Sequence, residues 1–259
     1  MTQPIDQLVS ILLPLRNAEE TLPACLESLL NQTYESVQII AIDDNSKDNT
    51  YSILRRYRKQ DKRLIIARNV KSYGLSVTLN RALKKAKGSY IALMNQADIS
   101  TPDRIKRQVF YLRRNPKIAV VGTQAAFQTV SHKLLGKSNF PTDHTTISKT
   151  FLTSDSFQLE SILINRYLLP SDLLKFEAAP SPMLYRSLLA KILPYGMFAN
   201  LNLQLYVRTR FETKIESEYS RAFRHLELWI KARFVHDTGI SLTSLLYPLN
   251  NRMRSALSS

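Results

Sequence analysis

Between residues 7 and 125, short apolar runs alternate with segments of helical spacing, and this alternation restricts the chain to a layered α/β sheet. Gln7–Leu15, Val37–Asp43, Arg63–Ala67, Ser89–Met94 and Ile118–Thr123 read as strands. Between the first two, Glu20–Asn31 carries Leu22, Leu26, Leu29 and Leu30 on one helical face. Asp48-Asn49-Thr50 caps a helix with Ile53, Leu54 and Tyr57 on its inner side. A helix over Leu75–Lys87 is expected to stop at Gly88 in the left-handed conformation. Ser100-Thr101-Pro102-Asp103 is expected to open a helix to Arg114, with the Ser100 hydroxyl as its cap. Strands separated by such helices form a mostly parallel sheet with helices on both faces.

Ligands in such sheets bind beyond the carboxyl ends of the strands. Three of those ends are polar: Arg16-Asn17, Asp43-Asp44-Asn45-Ser46 and Asn95-Gln96-Ala97-Asp98. Any one of them reads as an ordinary turn, but three at one sheet edge point to a ligand site.

The second half is less regular. Ser161–Arg166 reads as a strand, and Leu201–Arg208 alternates as a half-exposed one does. Phe211–Phe234 reads as a long helix with Ile215, Tyr219, Phe223, Leu226, Ile230 and Phe234 on one face. Arg221, Arg224, Lys231 and Arg233 make a basic surface beside that stripe, which suits packing on its own domain or an anionic membrane. The expected division is 1–130, then 131–210 as a further part of the same domain, then a helical appendage at 211–259.

Composition narrows the function classes. The chain has 259 residues, 44% of them hydrophobic, enough for a real core. Only 6 are glycine, which disfavours Gly-rich phosphate loops. The single cysteine, Cys25, excludes an internal disulfide and reads as a buried apolar residue. His225 and His236 lack a metal-ligand spacing. The net charge of +15 is spread over both halves and attracts polyanions, but its basic runs lack the aromatic interleaving of a nucleic-acid surface. No run resembles a signal peptide or a membrane span, so the expected location is cytoplasmic, peripheral to the inner membrane face where the basic helix touches it.

The segments VSILLPLRNAEETLPACLESLLNQTYESVQIIAIDDNSKDNT, GSYIALMNQADISTPDRIKRQVFYL and IAVVGTQ, with Arg68-Asn69, Gly74-Leu75 and Asn80-Arg81 between them, resemble the family 2 glycosyltransferases. SILINR and LNLQLYVR extend that resemblance into the second half. It implies the GT-A fold, a Rossmann-like α/β sheet, and a site for a nucleotide-diphosphate sugar, usually a uridine one. By resemblance, Leu13, Pro14, Leu15, Arg16 and Asn17 line the base and ribose. Asp43 and Asp44 bond the base edge and the ribose hydroxyls, Gly74 and Arg81 lie on the diphosphate side, and Asn95 completes the set. The implied reaction is inverting transfer to an acceptor hydroxyl, in polysaccharide biosynthesis, with a glycan or lipid-linked sugar as acceptor.

The chain departs from the family where the chemistry is. The family's Asp-x-Asp holds Mg²⁺ or Mn²⁺ through carboxylates, which such hard cations require. Here Asn95 and Ala97 stand at those positions, and Asp98 is the one nearby acid. No metal is therefore expected. The family's base pair Glu-Asp falls on Ala179-Pro180, leaving Glu177 and Glu160 as candidate bases. The expectation is a sugar-nucleotide binder whose transfer is weak or absent. The alternatives are an active metal-independent transferase, or a non-catalytic scaffold that binds a partner or membrane surface.

Overall fold

Val9–Leu15 (β1) is apolar on both faces and buried along nearly its whole length, as a strand at the centre of a covered sheet must be. In the computed structural model, which describes residues 7–150, 156–179 and 183–210, β1 pairs in parallel with Val37–Asp43 (β2) and Tyr90–Leu93 (β4). Leu64–Arg68 (β3) pairs in parallel with β2. Leu22–Leu30 (α1), Thr50–Gln60 (α2) and Leu75–Lys85 (α3) supply the connections. The expected helix over Phe211–Phe234, and the 211–259 appendage with it, lies outside the described residues.

Ile99–Ser100 (β5), Arg104–Arg114 (α4), Ile118–Thr129 (β6), Leu134–Lys137 (β7), His144–Thr150 (α5), Leu163–Asn165 (β8), Met183–Ile192 (α6) and Met197–Arg210 (β9) complete the described chain. The sheet order is β3-β2-β1-β4-β8-β6-β9-β5, with β7 paired to β6. The sheet is parallel from β3 to β4 and mixed beyond. β8 runs antiparallel to both β4 and β6, while β6 and β9 are parallel. The stretches 1–130 and 131–210 thus share one sheet, because β6 of the first is flanked by β8 and β9 of the second.

Two cores lie on opposite faces. Leu22, Leu26 and Leu29 of α1, Leu54 of α2, and Ile105, Val109 and Leu112 of α4 pack on one face. Leu79 and Ala82 of α3 and Leu184, Leu188 and Leu189 of α6 pack on the other. Cys25 is fully buried in α1, where burial pushes its thiol pKa up.

Two residues expected to end or cap helices do something else. Gly88 does not close α3 in the left-handed conformation; α3 ends at Lys85, and Ala86 is extended. Gly88 is instead a site of close approach. A Cβ there would lie 2.6 Å from the Leu8 carbonyl oxygen and the Ser10 nitrogen, and its own N–H donates to Ser10 Oγ. Ser100 does not cap α4. It pairs with Tyr206 of β9, and Asp103 occupies the cap position. The sheet takes the Ser100 backbone, while its hydroxyl accepts from Gln32 Nε2.

Candidate active site

The ends of β1, β2 and β4 open onto a cleft of about 260 Å³. Of the expected residues, Pro14, Leu15, Arg16, Asp44, Gly74 and Asn95 line it, and so does Glu160. Gly74 heads α3 with φ +83°, a backbone that an L side chain resists, and space at its Cβ position is open. A ligand can therefore approach that backbone closely.

Asp44 fixes this side of the cleft. Its carboxylate accepts from Ser72 Oγ (2.8 Å), the Tyr73 N–H (2.8 Å), the Gly74 N–H (2.9 Å) and Asn69 Nδ2. Burial pushes its pKa up, but the hydrogen bonds from Tyr73, Asn69, Ser72 and Gly74 outweigh that and hold it below the ordinary aspartate value. Asp43 faces away. It is fully buried, accepts from the Ser46 N–H and hydroxyl, and lies 3.0 Å from Arg68 Nε. Asn17, with φ 46°, ties the end of β1 to the next loop: its N–H donates to Ser46 Oγ, and its Oδ1 accepts from the Lys47 N–H. Arg81 donates to Asn69 Oδ1, one step behind Asp44. Asp43, Asn17 and Arg81 thus support the cleft rather than line it.

The opposite wall is built from the segment that follows β4. Asn95 Oδ1 accepts from the Ala97 N–H at 3.0 Å, closing its own turn. Gln96 grips the Arg16 backbone twice, accepting from its N–H (2.7 Å) and donating to its carbonyl (3.0 Å). Asp98 turns inward and is 2% exposed. It accepts from Tyr206 Oη at 2.8 Å and from the Thr209 N–H at 2.9 Å. Burial and then the Glu160 charge push its pKa up to about 7, against the pull of Thr209, Tyr206 and Arg208. Behind it, Arg104 is wholly buried, with Tyr206's ring 5.3 Å from its guanidinium, and desolvation lowers its pKa to about 10.

The oxygens of this wall are already in use by the protein: Asn95 offers a neutral carbonyl that is engaged, Ala97 offers no ligand, and each oxygen of Asp98 accepts a bond, from Tyr206 or Thr209. Among the described residues no group of three His, Cys, Asp or Glu side chains is placed to hold a metal.

The two candidate bases part company. Glu160 lines the cleft and is 5% exposed, with Oε2 accepting from Gln158 Nε2 at 2.6 Å and Arg208 Nη1 4.0 Å away. Glu177 is exposed, pairs with Lys191 and does not line the cleft. Ala179 packs near the second core, and Pro180 lies outside the described residues. Outside the expected site residues, Leu75, Thr78, Met94, Gln96 and Tyr185 also line the cleft. Gln96 occupies the middle of the altered motif, the one signal that marked it. Tyr185, a buried cleft residue on α6, has no signal beyond the apolar spacing of its helix.

The fold and cleft together define a GT-A-type glycosyltransferase domain. The profile for "Glycosyl transferase family 2" matches residues 10–169, and the chain belongs to that family. An uncharacterized glycosyltransferase of Haemophilus influenzae is 39% identical over 116 residues, which are 45% of this chain and 36% of that protein. The Escherichia coli enzyme WfaP, a UDP-Glc:alpha-D-GlcNAc-diphosphoundecaprenol beta-1,3-glucosyltransferase, is 37% identical over 106 residues, 41% of each chain. The chain thus spans about two fifths of the length of these curated relatives. Among solved structures, S. aureus TarS 1-349 in complex with UDP-GlcNAc superposes with a TM-score of 0.67 at 17% identity, covering 81% of this chain and 60% of TarS 1-349. The mannosyltransferase PcManGT from Pyrobaculum calidifontis, in complex with GDP-Man and Mn²⁺, gives 0.64 at 18% identity, covering 93% and 67%.

Proposed function

We propose that this chain binds a nucleotide-diphosphate sugar of the uridine type in the cleft between Arg16, Asp44, Gly74 and Asn95, and that its sugar transfer is slow or absent. The observation that carries this reading is the wall after β4. Asn95, Gln96 and Asp98 are all engaged by the protein's own backbone and side chains, so nothing there holds a metal against the diphosphate. The nucleotide side, by contrast, keeps an anionic acceptor, an open glycine backbone and an exposed arginine. Relatives that bear UDP-sugar names, and a neighbour bound to UDP-GlcNAc, support the uridine donor. A glycan or lipid-linked sugar is the acceptor this relationship favours, and the working location is the cytoplasmic face of a membrane.

The family reaction is displacement at the anomeric carbon by an acceptor hydroxyl, with inversion. It needs a base for the hydroxyl proton and positive charge for the departing diphosphate. In this chain Arg16 is the cleft-lining cation nearest the β1 end, and Glu160 is the cleft-lining carboxylate. Glu160 favours a second reading, a metal-independent transferase that uses it as base; Glu177 is not placed to serve. A third reading, a scaffold without turnover, keeps the fold and needs neither acid.

The test is calorimetric titration with UDP, GDP and their sugar conjugates, together with single-turnover assays on wild type and Glu160→Gln. The proposal expects binding of uridine nucleotides and turnover near background in both proteins. Clear turnover that Glu160→Gln abolishes establishes the second reading. No binding of any nucleotide leaves the scaffold.

A further inference from the structure

The outward face of α4 does not line the cleft, and its exposed charged residues are almost all basic. Lys106, Arg107, Phe110, Arg113 and Arg114 are all exposed and recur at helical spacing of three or four along α4, and Lys117 is exposed in the turn that follows it. The inward positions, Ile105, Val109 and Leu112, fill the core, so packing fixes which way the cations point. At the centre of this face Phe110 is 53% exposed, and the Arg114 guanidinium lies 4.1 Å from its ring centroid. The acid at the helix start, Asp103, is 3.7 Å from Arg107 and offsets only that one cation.

α4 shares its side of the sheet with α1 and α2. α2 presents Arg55, Arg56 and Lys59 to solvent. Between them α1 shows Glu27, whose carboxylate is held by Tyr57 Oη at 2.9 Å. The side is therefore basic along its two flanking helices, with one large aromatic standing out from it. None of these helices is long and apolar enough to span a bilayer.

We infer that the outer face of α4 docks on an anionic phospholipid surface, with Lys106, Arg113, Arg114 and Lys117 among the headgroups and Phe110 at the edge of the acyl region. A soluble polyanion would use the cations but would leave Phe110 in water; a bilayer uses both. Phe110 beneath Arg114 suits the interface, because the ring can enter the apolar boundary while the guanidinium stays with the phosphates. This surface is separate from the cleft and does not depend on what the cleft binds.

The experiment is co-sedimentation of the full chain with phosphatidylcholine vesicles, with and without phosphatidylglycerol, at low and high salt. Each cation near an anionic leaflet strengthens binding about fivefold, so Lys106→Gln with Arg114→Gln and Lys117→Gln should lose roughly 100-fold. Phe110→Ser should lose about tenfold at either salt concentration. Both variants should melt with wild type and titrate UDP unchanged, which separates loss of docking from loss of fold. Equal binding to vesicles without phosphatidylglycerol would overturn the inference. So would a triple variant that sediments like wild type, or binding that disappears only when Arg221, Arg224, Lys231 and Arg233 become Gln. Indifference to Phe110→Ser, with heparin displacing wild type and Phe110→Ser from the vesicles equally readily, would make this a polyanion surface and not a membrane one.

Discussion

The two walls of the cleft carry similar residue types but use them differently. On the β1/β2 side, Asp44 faces the cavity, and its hydrogen bonds hold a surface loop, Ser72-Tyr73-Gly74, whose glycine stays open to a ligand. On the β4 side, Asp98 faces the interior, and its bonds hold β9 to the rest of the sheet. One carboxylate shapes the rim of the cleft; the other is part of the packing between strands. A short acid at a strand end can do either, and the choice depends on what the chain folds behind it. Here Tyr206 and Arg104 fill the space behind Asp98.

Several experiments break or sharpen that contrast. The largest effect belongs to Asp44→Ala, which removes the acceptor of four donors at the cleft edge. Uridine nucleotide binding should weaken roughly 5- to 150-fold, the loss of about 1–3 kcal/mol, read by titration. An unchanged affinity would mean that the β1/β2 side is as structural as the other.

Next in size is the reverse conversion of the β4 wall. Asn95→Asp with Ala97→Asp restores anionic oxygen beside the cleft. Mn²⁺ should then tighten UDP binding by about tenfold, or 1.4 kcal/mol, where it does little for wild type. If Ala179-Pro180 takes the family's base position, as the resemblance implies, turnover should not return in full. A double variant as indifferent to Mn²⁺ as wild type would show that the wall cannot open toward a ligand.

On the stability scale, which is separate from binding, Asp98 is tested by pH. Its folded pKa, about 7, lies above its ordinary value of 3.8, so the folded chain holds this proton more tightly than the unfolded chain. Stability from this group is present below 3.8 and is lost as pH rises through 7. Asp98→Asn should match wild type near pH 4 and melt progressively higher than it toward pH 8. A melting difference that is flat with pH would contradict the buried assignment. Smallest of all, Gln96→Ala removes two bonds to the Arg16 backbone and should cost about 1 kcal/mol in denaturant unfolding.

The parallel half of the sheet was legible because fully buried strands are continuous apolar runs, and β2 matches its expected limits, Val37–Asp43. The strand within Ser161–Arg166 was legible, but its insertion between β4 and β6 was not, because an apolar run does not specify its neighbours in the sheet. Gly88 misled in a related way: close approach and a left-handed stop both call for glycine, and only the neighbouring β1 backbone distinguishes them. Where resemblance and position agreed, at Pro14 to Arg16, Asp44 and Gly74, the residues line one cleft. The site was unreadable at Asp98, whose partner Tyr206 lies 108 residues further along the chain. Separating Glu160 from Glu177 likewise needed the cleft, since both are lone acids in irregular sequence.

The central claim is that the nucleotide side persists without a metal side. UDP titration of the unmodified chain, with Mn²⁺ and again with EDTA, tests it most directly. The account predicts binding in both conditions with affinities that agree within about twofold, well under the tenfold that 1.4 kcal/mol of metal coordination would give. Binding that vanishes in EDTA, accompanied by EDTA-sensitive sugar transfer, would contradict it and would require Asp98 or Glu160 to turn out of its present hydrogen bonds and hold the cation.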